Sequence, residues 1–201
     1  MTTELFLEIF EKANNKYAKQ QKRLAGEAWK EPWQTLIATI FSAQTKDEVT
    51  IPVAEKLFRK YSLKELANAN EQDVLEIIKS LNYNKTKAKN AVKAASYLVK
   101  EHNGKVPETI EELVKIPGVG RKTANLILGE VYNQQAICVD THVHKISNML
   151  NIVHTKTAEE TEYALMKIAP KPYWNKINRI FVLWGKDLVR YDKDKLLNSL
   201  K

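Results

Sequence analysis

Apolar residues recur every three and four positions along nearly the whole chain, and the runs are broken by N-cap residues and by single glycines or prolines. A period near 3.6 belongs to amphipathic helices, so the expected fold is all-α. The first helix is expected from Thr3 to Ala25, with Leu5, Ile9, Phe10 and Tyr17 along one side and Gly26 in a position suited to a C-cap. Pro32 can open the second, whose Trp33, Leu36, Ile37, Ile40 and Phe41 form a buried stripe ending at Ser42-Ala43-Gln44. Pro52 is tolerable only in a first turn, which places the third helix from near Thr50 to Tyr61. Ser62-x-x-Glu65, Thr109-x-x-Glu112 and Thr157-x-x-Glu160 fit capping boxes, and Asn70 can cap a helix carrying Val74, Leu75, Ile77 and Ile78. A longer helix from about Thr86 to His102 stops at Asn103-Gly104. Further helices follow over Arg121 to Tyr132, behind an Asp140 cap with Val143, Ile146, Met149 and Leu150, and over Tyr173 to Tyr191 with Ile177, Ile180, Phe181 and Trp184 buried. The tail Asp192 to Lys201 adds a turn or two.

Composition narrows the function classes. Of 201 residues, 32 are Lys or Arg and 24 are Asp or Glu, a net charge of +8, and the sequence pI is about 9.3. The 44% hydrophobic content is enough to bury a core. The basic balance points to a polyanionic partner, although solubility or a hot habitat selects lysines too. A single cysteine, Cys138, makes no internal disulfide and cannot supply a cysteine zinc site or an iron–sulfur cluster, so a reducing, intracellular setting is expected. No apolar run approaches the roughly 18 residues of a membrane span, and the start of the chain has no basic segment followed by an apolar one, which argues against membrane and secreted classes.

The stretch Ile116-Pro-Gly-Val-Gly120 precedes a helix and puts several backbone N–H groups at its positive end, where a phosphate can bind. A plain helix–helix turn fits the same residues. A nucleotide P-loop is excluded because Arg121 stands between the second glycine and Lys122-Thr123, and a dinucleotide fingerprint lacks its strand and third glycine.

Ile116-Pro-Gly-Val-Gly-Arg-Lys-Thr-Ala-Asn125, followed by Val139-Asp-Thr-His-Val143, resembles the helix-hairpin-helix glycosylase superfamily, and within it endonuclease III. Phe41-Ser-Ala-Gln-Thr-Lys-Asp47 is similar to the family's loop after its second helix, and His102-Asn-Gly-Lys-Val-Pro107 to its approach to the hairpin. The likeness spans about residues 30 to 190. It implies a two-lobed all-α fold with a DNA cleft between the lobes: a six-helix lobe over 27–134 that holds the hairpin, and a second lobe from 1–26 plus 135–201. It also implies base-excision repair by a bifunctional DNA glycosylase and abasic-site lyase that removes oxidised pyrimidines from duplex DNA. A glycosylase for another lesion or mismatch, such as 8-oxoguanine, and a non-catalytic DNA-binding module are the alternatives.

Lys122 falls in the first turn of the helix after the hairpin, where the positive helix end and any burial favour the neutral amine. Such an amine can attack C1′ of a flipped nucleotide, displace the base and form a Schiff base that permits β-elimination. The resemblance makes Lys122 the nucleophile and places Asp140 across the cleft, where a carboxylate stabilises positive charge on the sugar and moves protons. Gln44 matches the residue that fills the gap left by the flipped base. Where the family has Gly-Leu-Tyr-Asn, this chain reads Asn82-Tyr83-Asn84-Lys85, so Tyr83 takes the wedge position; simple packing fits Tyr83 too. Backbone at Gly118, Val119 and Gly120, together with Arg121, Thr123, Lys85, His142 and Lys145, completes the expected DNA contacts. From Lys79 to Lys105, seven lysines, among them Lys87, stand against the single Glu101; a duplex-facing surface can use those near Tyr83 and Lys85, and a solvated helix face fits the rest.

Most relatives carry four cysteines near the C-terminus that hold a [4Fe–4S] cluster. Here Val189, Leu196 and Ser199 align with the first three and nothing aligns with the fourth, so no cluster is expected, and Arg190, Lys193 and Lys195 are candidates to replace its contribution to DNA binding. A monovalent cation can sit at the hairpin carbonyls. The partner is double-stranded DNA with a damaged base or an abasic site, bound by a monomer, and the location is cytoplasmic and nucleoid-associated if the source is prokaryotic.

Overall fold

The computed structural model describes residues 2–188 and 192–200, among which there are twelve α-helices and no strand. In chain order these are α1 (Thr3–Tyr17), α2 (Pro32–Ser42), α3 (Asp47–Lys60), α4 (Leu63–Ala67), α5 (Glu71–Ile77), α6 (Asn84–His102), α7 (Ile110–Leu113), α8 (Arg121–Glu130), α9 (Thr141–Met149), α10 (Ala158–Ile168), α11 (Trp174–Lys186) and α12 (Lys193–Asn198), with a 3₁₀ turn at Lys171–Tyr173. Val189 and Arg190, named above for the cluster and for DNA, and Tyr191, the expected end of the last long helix, lie outside the described residues. The helices fall into two units, Met1–Lys22 with Asn133–Lys201, and Arg23–Tyr132.

In the unit Arg23–Tyr132, α2 is apolar almost all round and packs against α3, α6 and α8, with Leu36, Ile37, Ala38 and Phe41 fully buried. A helix of that composition has to be central. The inward face of α6 is mostly alanine (Ala88, Ala91, Ala94, Ala95) with Leu98, and these small side chains let α4 and α5 pack closely on it. The α6 terminus is the one its sequence announces: Asn103 is left-handed, and Gly104 N donates to Leu98 O at 2.8 Å. Reciprocal capping boxes start α4 (Ser62 with Glu65) and α2 (Glu31 with Gln34), the latter unforeseen because a glutamate occupies the cap. Asn70 caps α5, Thr109 caps α7, and in the other unit Thr157 caps α10.

Three expected boundaries are wrong. The last long helix stops at Lys186 and not at Tyr191, where Asp187 N divides between Leu183 O (3.3 Å) and Trp184 O (3.2 Å) and tightens the final turn. The first helix ends at Tyr17 and not at Ala25, because Ala18 to Arg23 has no apolar side chain beyond Ala18 to bury. Gly26 therefore caps nothing; it permits close approach, since a Cβ there would lie 2.5 Å from Leu126 Cδ2. The third helix begins at Asp47, three residues early, and holds Pro52 inside it. Asp47 and Glu48 favour that start at the positive helix end, and the N–H groups of Val49 and Thr50 close the first turn on Lys46 O.

The other unit is built on aromatic packing. Phe10 stacks on Phe6 (5.3 Å between centroids) and meets Tyr173 (5.2 Å) and Phe181 (6.1 Å), while Phe181 reaches Trp184 (5.7 Å). These contacts join α11 to α1, and α11 also packs on α9. The tail returns to the same core: Leu196 of α12 is fully buried, and Trp184 Nε1 donates to Ser199 Oγ at 2.8 Å.

Leu98→Ala, at the C-terminal end of the buried α6 face, is expected to lower the unfolding free energy by about 2–5 kcal/mol in a urea titration. A loss below about 1 kcal/mol contradicts this packing.

Candidate nucleic-acid interface

The turn between α7 and α8 is fixed by one residue. Gly118 has φ of +84°, and a Cβ on it would lie 2.9 Å from Asn90 Nδ2 and 3.0 Å from Asn90 Cβ in α6. Only glycine meets both conditions. Val119 N donates to Ile116 O at 3.0 Å to close the turn, and the Val119 side chain is buried, so only its backbone is available. Gly120 is the N-cap of α8 in extended conformation, and a Cβ there would meet nothing within 4 Å. No side chain caps α8, and its first intrahelical bond runs from Ala124 N to Gly120 O at 2.9 Å. The N–H groups of Arg121, Lys122 and Thr123 precede that bond and form a donor cluster at a positive helix end. The Arg121 and Thr123 side chains are half-buried, and Lys122 is exposed. The burial anticipated around Lys122 is thus not found.

In the other unit, the extended segment Ile137-Cys138-Val139 is buried and held to α11, where Asn175 Oδ1 accepts from Ala136 N (3.0 Å) and Asn178 Nδ2 donates to Cys138 O (3.2 Å). It delivers Asp140 to the N-cap of α9. Asp140 Oδ1 accepts from His142 N and Val143 N, both at 2.9 Å, so the carboxylate is a helix cap with a fixed orientation. His142 is half-buried and Lys145 exposed on the same helix.

Back in the unit Arg23–Tyr132, Gln44 (φ 52°) and Tyr83 (φ 56°) are both left-handed although neither is glycine, a state that costs on the order of 1–3 kcal/mol at each position. Something must hold them. Asn82 Nδ2 donates to Gln44 O, and Asn82 N donates to Thr45 Oγ1 at 3.2 Å. Lys87, 4% exposed, sends its ammonium to Phe41 O (2.6 Å), Ala43 O (2.7 Å) and Thr45 Oγ1 (2.8 Å). Two of these acceptors are carbonyls at the C-terminus of α2, the negative end of that helix. Gln44 and Lys85 are exposed, and Tyr83 is 66% exposed, so Tyr83 is not a packing residue.

Lys87 corrects the lysine stripe. Lys79, Lys85, Lys89, Lys93, Lys100 and Lys105 are exposed, but Lys87 is interior and unavailable to a duplex. The signal was present in the sequence: Lys87 precedes Ala91, Ala94 and Leu98 by four, seven and eleven residues, the spacing of the buried stripe.

Three similarities to known proteins bear on this site. A family model described as HhH-GPD superfamily base excision DNA repair protein matches residues 37–171. The chain is 43% identical over 161 residues to an endonuclease III from Thermotoga maritima, covering 80% of this chain and 76% of the relative. Its fold superposes on a solved structure of a trapped endonuclease III–DNA covalent intermediate with TM-score 0.87 and 29% identity, covering 96% of this chain and 90% of the other.

Two outcomes follow from the geometry. Gly118→Ala is expected to destabilise the fold by about 1–2 kcal/mol or more, while Gly120→Ala stays within about 0.5 kcal/mol, both read by urea unfolding; equal effects contradict the turn described. Burial pushes the Lys87 ammonium down to about 8 from the ordinary 10.5. Between those values the unfolded chain keeps a proton here that the folded chain has released, so this group's contribution to stability rises with pH across the window. Raising pH from about 7 to about 10 should therefore shift the stability difference between wild type and Lys87→Met in favour of the wild type, and the opposite trend contradicts the assignment.

Proposed function

The chain belongs to the HhH-GPD superfamily of base excision DNA repair proteins, and from that premise we propose that it excises oxidised pyrimidines from duplex DNA and cleaves the strand through Lys122. Its reaction class is DNA glycosylase and abasic-site lyase. The observation that carries the residue assignment is the start of α8: uncapped backbone donors suited to a phosphate, with an exposed lysine in the same turn.

In the reaction, the neutral Lys122 amine attacks C1′ of the flipped nucleotide, and the glycosidic bond breaks with its electron pair leaving on the base, which takes up a proton. The C1′–O4′ bond then breaks with its electron pair leaving on O4′, which takes up a proton, and the opened sugar is a protonated Schiff base between C1′ and Nζ. Loss of a C2′ proton then expels the 3′ phosphate, and hydrolysis of the imine frees Lys122. Asp140 stabilises the cationic sugar and relays protons; with Oδ1 held by two backbone N–H groups, Oδ2 is the oxygen left for that work. Gln44 and Tyr83 occupy the space vacated by the flipped base, Tyr83 by stacking, and both are exposed as that role requires. The Gly118–Gly120 backbone with Arg121 and Thr123, and Lys85, His142 and Lys145, contact the sugar–phosphate chain.

The residues aligned with cluster ligands do not suit an iron–sulfur cluster. Leu196 has no donor atom and is fully buried, the Ser199 hydroxyl is engaged by Trp184, and the chain has one cysteine. We take the enzyme to work without a cluster, its tail held by apolar packing, and to act as a monomer where cellular DNA is, the cytoplasmic nucleoid in a prokaryote. No helix among the described residues is long and apolar enough to cross a membrane.

Lys122→Ala is expected to abolish strand cleavage at an abasic site while keeping duplex affinity within about threefold of wild type, with the same steep loss of binding as salt rises. Cleavage at the wild-type rate by this variant removes Lys122 as the nucleophile.

A further inference from the structure

Gln44 and Tyr83 belong to different loops, yet the same few atoms hold both. The Thr45 hydroxyl accepts from Lys87 Nζ and from Asn82 N, and the Asn82 amide donates to the carbonyl of Gln44 itself. Tyr83 is the N-cap of α6, and Lys87 lies in the first turn of the same helix, so the helix that starts at one residue anchors the loop of the other. Each of the three Lys87 N–H directions meets an oxygen within 2.8 Å, on a side chain only 4% exposed. A lysine so placed has no reach to DNA and no donor left over. Its work is local: it closes the C-terminal end of α2 and fixes the chain that continues into Gln44. Asn82 stands where the family resemblance has glycine, and a glycine has no side-chain amide to make the second link.

We propose that Lys87 and Asn82 are positioning residues that hold Gln44 and Tyr83 as one preformed pair of duplex-entering side chains, an inference that rests on the glycosylase and lyase reading. Both residues of the pair carry left-handed backbone. Loops freed of these links relax away from that geometry and must be reordered at each encounter with a duplex, which slows the opening of the base pair and leaves the chemistry at Lys122 untouched.

The test compares two probes: an abasic oligonucleotide as a single strand, in which there is no opposite base to displace, and the same strand in a duplex with 2-aminopurine opposite the site. Borohydride trapping gives the rate on each, and 2-aminopurine fluorescence reports whether the opposite base is unstacked. Lys87→Met and Asn82→Gly are each expected to trap the single strand within about twofold of wild type and the duplex about tenfold or more slowly, with the fluorescence rise lost or delayed. A loss that is equal on both probes assigns these residues to general stability and overturns the proposal, as does a wild-type duplex rate in both variants. Asn82→Gly touches no buried charge, so it decides the matter if Lys87→Met fails to fold. A wild type that traps neither probe overturns the enzymatic reading, and this proposal with it; a wild type active on both, with unaffected variants, overturns this proposal alone.

Discussion

The contact between Gly118 and Asn90 is the constraint from which the rest of the hairpin follows. A left-handed φ of +84° and a Cβ position already occupied by an α6 side chain leave one residue type and one path for the chain. That path decides where α8 begins. Because the turn spends its residues on reversal and Gly120 is the N-cap, no side chain caps α8, and the backbone donors of its first turn lie at the positive helix end. Lys122 takes its place in that turn as a consequence of backbone geometry.

α6 organises a second region by the same means. Its N-cap is Tyr83, its first turn carries Lys87, and Asn90 follows one turn later against Gly118. One helix therefore sets Tyr83, the proposed wedge, the anchor of the Gln44 loop and the packing of the hairpin. The polar groups proposed to act in both units sit at helix ends: Lys87 at the negative end of α2, the start of α8 with no side-chain cap, and Asp140 at the positive end of α9. Inside a helix the backbone is paired internally, so helix ends are where backbone polar groups remain to be used.

What could be read from the sequence was what local rules decide. The caps at Ser62, Asn70, Thr109 and Thr157, the stop at Asn103-Gly104 and the Pro-Gly-Val-Gly turn each involve residues a few positions apart, and periodicity was enough for the all-α fold. The failures were of another kind. The end of α1 depends on whether a polar stretch has anything to bury, Pro52 is tolerated because the helix around it is well started, and Gly26 answers to Leu126, a hundred residues away. Lys87 is the instructive case. Counted as a surface charge, it sits on the buried stripe, and only the carbonyls of a distant helix end explain how an ammonium is accommodated there.

The same distinction holds at the site. Lys122 and Asp140 are candidates read from contiguous motifs, as is the hairpin, whereas the links that hold Gln44 beside Tyr83 join positions about forty residues apart and needed the fold. Covalent attachment to DNA is assigned to Nζ of Lys122. Peptide mapping by mass spectrometry of the borohydride-reduced complex with an abasic duplex locates the attachment point. The deoxyribose adduct is expected on the peptide containing Lys122 alone; an adduct on any other lysine, or none in a complex that still binds, removes Lys122 as the nucleophile.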